Sequence, residues 1–335
     1  NYARKTAIGS SPITLAKCGC RNAPLPTPLG NTGVRLCISL SLLAVAVAEE
    51  VVVLSGPPAV PAAPADPADP ALQAVPHGYH EQFGIPEAQR IREAESRLTA
   101  RVAGSLASYL GEHKFFAGLL ITLTSGQTSV CGGSLVSSSR VLTSATCWFD
   151  GSSQGYAVQV VLGSITLFSG GTRVSAYAIS VHPRYNYYWL ENNLAVLRIP
   201  SVSYNSYIRP IAMASSNLSY VGYTAEIIGF GKTSEGSSIT TSQRLRDAFV
   251  PVLSNAACKD YYGALIEPEH MCTSGAGGRG ACGGDQGGPL ILYSSAGNDA
   301  LIGVVSFWAS AGCASGRPSG HTRVGHHMAW IQAQL

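Results

Sequence analysis

The sequence predicts an all-β fold, and three observations carry that expectation. Short apolar runs alternate with turns rich in Gly, Ser and Asn. Glycine (37) and tyrosine (15) are plentiful while helical periodicity is scarce. Apolar residues make up 46% of the chain against 12% charged, so a sizeable core can form and disorder of the whole chain is excluded. At 335 residues there is room for one large domain or two small ones. A net charge of +3 without a basic run of five gives nucleic-acid binding no support.

In chain order, residue 1 is Asn, as expected of a fragment or of an extended gene reading. Arg35 precedes a 13-residue apolar run, 36–48, that ends Ala46-Val47-Ala48 before Glu49-Glu50. A positive residue, a short apolar stretch and a small-x-small ending form a secretory signal pattern, 35–48, with residues 1–34 as an upstream leader absent from the mature protein. The run is too short for a membrane span, which needs about 20 residues. Cys18 and Cys20 have no second ligand pair at zinc-site spacing, so no metal is expected. Residues 57–70 repeat Pro, Ala and Asp and read as a stiff extended linker. Residues 87–97 read as one or two exposed helical turns whose mixed charges face solvent. Together 49–101 read as a propeptide ahead of a domain at 102–335.

Within that domain the strand expectations are 115–123, 130–136, 157–162, 172–181, 194–199, 224–229, 244–252, 289–292 and 301–306, a spacing typical of barrels or sandwiches. Residues 254–262 and 326–335 read as helices, the first with Ser254 as N-cap. Six of the domain's residues are cysteines, an even count that fits an oxidising, extracellular setting; 15 connectivities are open to six cysteines. The triplet Asn217-Leu218-Ser219 is a weak glycosylation signal.

The stretch Ala281-Cys282-Gly283-Gly284-Asp285-Gln286-Gly287-Gly288-Pro289-Leu290 cannot be a helix or a regular strand, because its glycines and proline punctuate every turn of either. It resembles the nucleophile loop of chymotrypsin-like serine proteases. Cys131-Gly132-Gly133-Ser134-Leu135, Arg140-Val141-Leu142-Thr143, Val161-Leu162-Gly163-Ser164 and Gly229-Phe230-Gly231-Lys232-Thr233-Ser234 carry the same resemblance, in the right order and across nearly all of 102–335. It is nearest to insect gut chymotrypsins and their collagenolytic relatives. The resemblance implies two six-stranded antiparallel β-barrels, a short C-terminal helix and a site in the cleft between the barrels. It also implies the disulfides Cys131–Cys147, Cys258–Cys272 and Cys282–Cys313.

That family needs a serine nucleophile, a histidine base and an aspartate that orients it. Each matching position departs from the pattern. Gln286 stands at the serine, Thr146 at the histidine in Thr143-Ser144-Ala145-Thr146-Cys147, and Asn193 at the aspartate in Asn192-Asn193-Leu194-Ala195. An amide has no hydroxyl to deprotonate, and a threonine takes up no proton near neutral pH. The oxyanion hole implied by the resemblance survives as the backbone N–H groups of Gly284 and Gln286. Of the domain's histidines, 182 and 270 are expected at the surface, and the adjacent His326 and His327 point in different directions on a helix.

Arg101-Val102-Ala103-Gly104 resembles the family's activation junction, whose new ammonium, here Val102, pairs with Asp285. The resemblance places the specificity pocket between Gly280, Ser319, His321, Ser306 and Trp308, where Trp308 replaces a glycine and plugs the opening. No cofactor is expected. The resulting expectation is a secreted, monomeric, catalytically lost protease homologue that binds protein or peptide ligands, such as protease inhibitors or active proteases. Two alternatives stay open: a working chymotrypsin-like endopeptidase and a decaying gene copy without function.

Overall fold

Seven strand segments build the first sheet: β1 (Phe116–Leu123), β2 (Thr128–Ser137), β3 (Arg140–Thr143), β4 (Gly155–Leu162), β5 (Thr172–Ser175), β6 (Ala178–Val181) and β7 (Ala195–Arg198). Their order is β5-β4-β1-β2-β3-β7-β6. Only Ala176 and Tyr177 separate β5 from β6. The Ala176 N–H donates to Val158 in β4 and the Tyr177 N–H to Arg198 in β7, so one bent strand joins both ends and the barrel counts six strands. Leu119, Ile121, Val160, Val141 and Leu197 fill it. This computed structural model describes residues 70–98, 109–232, 244–294 and 299–335. The leader, the signal pattern, most of the Pro/Ala linker, Arg101 and Val102 lie outside the described residues.

The second sheet contains β8 (Ala212–Met213), β9 (Thr224–Gly229), β10 (Arg246–Leu253), β11 (His270–Thr273), β12 (Pro289–Leu292), β13 (Ala300–Phe307) and β14 (Ser319–Arg323). The order is β12-β9-β10-β11-β14-β13-β8, and an added β12–β13 pairing closes six of them into a barrel, with β8 parallel on the outside of β13. Strands β11 and β14 were not legible as apolar runs. They carry His270, Thr273, His321, Thr322 and Arg323, all buried, and these residues are tolerated there because they are hydrogen-bonded. Arg323 alone donates to the carbonyls of Leu218 (2.6 Å) and His270 (2.9 Å). Of the expected helices, α3 spans Asn255–Tyr262, and the Ser254 hydroxyl accepts from the Ala257 N–H as an N-cap should. The C-terminal helix is shorter than expected: a 3₁₀ turn at Val324–His326, then α4 at Met328–Gln332. Among the described residues no helix is long and apolar enough to cross a membrane. Disulfides join Cys131 to Cys147, Cys258 to Cys272 and Cys282 to Cys313.

The segment 70–98 corrects the sequence reading. It is not a solvated helical stub. A short turn of helix, α1 (Pro70–Gln73), leads to a π-helical turn at His80–Gly84 and then to α2, fourteen residues at Ile85–Leu98. Pro86 sits in the first turn of α2, where its missing N–H costs nothing. Residues of this strap enter each of the three apolar clusters among the described residues: Ala71 and Val75 in one, Tyr79 and Ile85 in the second, Ala88 and Ile91 in the third. Gly84 passes so close to β2 that an added Cβ would fall 1.9 Å from Ser129 Oγ, so no larger residue fits. The buried Glu95 carboxylate accepts from the Phe168 N–H (3.0 Å), the Ser169 hydroxyl (2.9 Å) and the Leu167 N–H. Arg92 lies 4.7 Å over the Phe168 ring. Glu95→Ala strands those donors and is expected to lower stability by about 2–3 kcal/mol, read from urea unfolding of the full chain. A change near zero would mean that α2 is not held there.

Candidate functional site

The cleft side of β3 runs into the 3₁₀ turn Ala145–Cys147, which carries Thr146, and the turn before β7 carries Asn193. The Thr146 N–H donates to Asn193 Oδ1 at 2.9 Å, and its hydroxyl donates to the same oxygen at 3.1 Å. The Asn193 amide in turn donates to Ser306 Oγ at 2.8 Å. The Tyr185 hydroxyl lies 3.0 Å from Thr146 Oγ1. Gln286 is fixed from both ends: its carbonyl accepts from the Gly132 N–H at 2.7 Å, and its side-chain amide donates to Ser144 Oγ at 3.2 Å. The three positions are buried and joined to the walls of the cleft. None of the three is an imidazole or a carboxylate, and the one hydroxyl, that of Thr146, donates to an amide oxygen and not to a base.

Asp285 precedes Gln286 and is buried. Its carboxylate accepts from the Gly231 N–H (2.7 Å) and the Cys282 N–H (3.0 Å). Gly231 makes that approach possible, since a Cβ there would lie within 2.3 Å of the carboxylate. Burial pushes the Asp285 carboxyl up to about 7, with Glu87 of the strap adding to the rise and the two N–H groups opposing it.

The strap crosses this site. The Ser310 N–H and hydroxyl, just past Trp308, donate to the carbonyls of Ala74 and Gln73, each at 2.9 Å. The Tyr79 hydroxyl donates to the Val130 carbonyl at 2.7 Å, and the Gly284 N–H lies against the phenol oxygen of Tyr79. Burial raises the Tyr79 phenol, with Asp285 and Glu87 adding to it. The His80 N–H donates to Asp150 Oδ2 at 2.7 Å, and its Nδ1 lies 2.7 Å from Ser129 Oγ. Burial lowers the His80 imidazole, while Asp150 and the Thr146 carbonyl pull it up. Phe83 meets Trp308 edge to face at 5.1 Å, and Tyr79 does so at 6.3 Å. One recess is lined jointly by Tyr79 and Phe83 of the strap and by Thr146, Gln286, Ser306 and Trp308.

A profile of the trypsin family matches residues 104–331. The chain belongs to the trypsin family. Collagenase of Hypoderma lineatum is 34% identical over 236 residues, covering 69% of this chain and 86% of the relative. Brachyurin of Leptuca pugilator is 37% identical over 208 residues, covering 61% and 87%. A solved HL collagenase structure superposes with a TM-score of 0.62 at 34% identity, covering 70% of this chain and 98% of that one. The two barrels are thus a chymotrypsin-like fold.

Against that trypsin-family frame, the expected pocket residues fall as follows. The Ser319 hydroxyl accepts from the Ala281 N–H at 3.0 Å, next to Gly280. His321 is buried on β14, its Nε2 is 2.9 Å from Thr273 Oγ1, and burial lowers it to about 3. Trp308 is buried under the strap's aromatic rings. Asn217 is exposed, its amide 3.5 Å from a ring nitrogen of His326. His182 and His270, expected at the surface, are buried; His182 meets Trp330 and His327 edge to face, and burial lowers it to about 4. Sequence reasoning missed Tyr79, His80 and Phe83 altogether. Their only signal was an aromatic cluster, Tyr79-His80-Glu81-Gln82-Phe83, between Pro76 and Pro86. Among the described residues, His113, Glu226 and Asp247 place one ligand atom each within 4.8 Å of one another, close enough to hold a cation. Burial pushes Glu226 up to about 7, while the Tyr293 hydroxyl that donates to its carboxylate opposes the rise.

Proposed function

We propose that this trypsin-family protein is a secreted homologue that lacks the catalytic triad and acts by binding protein ligands at its cleft, as an inhibitor decoy or a modulator of active proteases. The observation that carries the reading is the hydrogen-bonded set Thr146–Asn193–Ser306 with Gln286 beside it. Acyl transfer requires a nucleophile that loses a proton to a base as it attacks. Gln286 offers only an amide, and Thr146 offers a hydroxyl already donated to Asn193. Asparagine keeps the shape of an aspartate without the charge that would stabilise an imidazolium.

In this reading the backbone N–H groups of Gly284 and Gln286 remain as an oxyanion hole. Without the triad such a hole leaves a residual rate about 10³–10⁴ over water, far short of a working protease. Arg101 is the activation junction in the same reading, and cleavage there delivers the Val102 ammonium to Asp285.

The test is paired. The chain cut after Arg101 is incubated with a fluorophosphonate label and, separately, with a protein inhibitor of chymotrypsin-like proteases. Inhibitor binding without covalent labelling is the expected result. Label mapped to a residue of the cleft would end the non-catalytic reading, and absence of inhibitor binding would end the decoy role.

A further inference from the structure

We infer that residues 70–98 are a ligand held in cis: the strap fills the cleft, and a protein partner enters only when the strap leaves. The inference rests on the reading that the cleft works by binding. It also names the partner's chemistry, a segment that carries one tyrosine and a second aromatic residue four positions on across a single helical turn, the pattern of Tyr79 and Phe83.

The contacts are those of a bound peptide. Main-chain carbonyls of Gln73 and Ala74 accept from Ser310, and the His80 N–H finds Asp150. These bonds are to the strap's backbone, so they require no particular side chain of it. Selectivity comes from the rings. Tyr79 reaches the Val130 carbonyl with its hydroxyl and packs edge to face on Trp308, and Phe83 covers the other part of that indole. Offset and edge-to-face aromatic pairs of this kind add to the burial of their area. Beyond them α2 anchors the strap on β2, with Ala88 and Ile91 in the apolar cluster there, and on the loop after β4 through Glu95.

No covalent bond fastens the strap except the chain itself. The three disulfides all join residues between Cys131 and Cys313, and 70–98 contains no cysteine. A tethered ligand acts at an effective concentration of about 1 mM, so a partner present at micromolar levels is excluded while the chain is whole. Once the connection to the domain is broken, the strap becomes an ordinary ligand that dilution removes.

The probe is a fluorescent synthetic peptide of residues 70–98. It is titrated into the wild-type full chain and into the full chain carrying Tyr79→Ala, Phe83→Ala and Glu95→Ala. The wild type is expected to show no binding up to about 100 µM peptide, below the cis concentration, and the variant is expected to bind. A peptide with Tyr79→Phe should bind the variant about 2–10-fold more weakly, for loss of one hydrogen-bonded hydroxyl. Equal binding to both chains, or binding to neither, overturns the inference. If the triple variant does not unfold cooperatively, Glu95→Gln alone is used; loss of folding there too would make the strap part of the core and also overturn it. Peptide recovered whole by mass spectrometry agrees with a binding cleft. Peptide cut by the variant would sink the non-catalytic reading and leave the cis ligand standing.

Discussion

The combined changes Thr146→His, Asn193→Asp and Gln286→Ser are expected to leave the full chain with little cleavage of aromatic ester substrates, although they restore every member of a triad. The frame for the restored groups is present. A carboxylate at 193 would accept from the Thr146 position's N–H and from the Ser306 hydroxyl, where Asn193 now accepts and donates. Such a triad acts as a unit worth about 10⁶ in turnover, or roughly 8 kcal/mol of barrier, so single restorations should do nothing measurable. What stops the triple variant is access. Tyr79 holds its hydroxyl against the Gly284 N–H, and Trp308 sits buried beneath Tyr79 and Phe83. Adding Trp308→Gly and cutting the strap free should raise kcat/KM by several orders of magnitude, because the ester carbonyl then reaches the nucleophile in register. The assay is initial rate on a small aromatic ester, with each change added in turn. Ordinary chymotryptic activity from the three triad changes alone would show that neither Trp308 nor the strap bars the cleft.

Replacing Asp285 by asparagine is expected to become more favourable as pH rises. In the folded, uncut chain the carboxyl titrates at about 7 because it is buried. In the unfolded chain an aspartate titrates near 3.9. Below about pH 4 both states hold the proton and the group contributes nothing to pH dependence. Between about pH 4 and 7 the unfolded chain releases its proton first, so the folded state loses stability as pH rises. Above about pH 7 the deficit is constant, on the order of 4 kcal/mol at most for a shift of roughly three units. Asparagine never ionises. It gives up one acceptor for the Gly231 or Cys282 N–H, a cost of about 1–3 kcal/mol at every pH. The difference between variant and wild type should therefore move in favour of Asp285→Asn by roughly 2–4 kcal/mol from pH 4 to pH 8, measured by urea unfolding. After cleavage at Arg101 the proposed Val102 ammonium would stabilise the ionised carboxylate, and the trend should reverse. A flat difference in both forms would contradict the burial of this charge and its pairing.

Most of the barrels could be read from the chain because their strands obey a local rule. Runs such as Phe116–Leu123 and Ala300–Phe307 are apolar in themselves and bounded by turns. β11 and β14 do not obey it, since His270 and Arg323 are polar residues bonded to the distant loop carbonyls of Leu190 and Leu218, and His321 to Thr273 across the strand pair. The strap failed for a related reason. Its inward stripe, Ala88, Ile91 and Ala94, is made of small residues and is interrupted by the buried Glu87 and Glu95. Glu87 is paired with Arg90 three residues on, while the partners of Glu95 lie more than seventy residues away. A helix of that composition reads as a solvated face until those partners are placed. Thr146, Asn193 and Gln286, the positions proposed for a triad, could be picked out because each is pinned by a neighbour, Cys147, the β7 strand or the Asp285–Pro289 loop, and the fold brings Thr146 and Asn193 into hydrogen-bond contact. The occupant of the cleft could not, because no local pattern says what a Tyr-to-Phe turn will pack on.

One rate decides most directly whether the cleft is catalytic. The wild-type chain, cut after Arg101 and freed of the strap, is assayed on an aromatic ester beside Hypoderma lineatum collagenase. The expected kcat/KM is lower by about 10⁶ or more. A value within about 10³ of that relative, abolished by an organophosphate, would contradict the proposed loss of the triad and show that a group in this cleft is a working nucleophile.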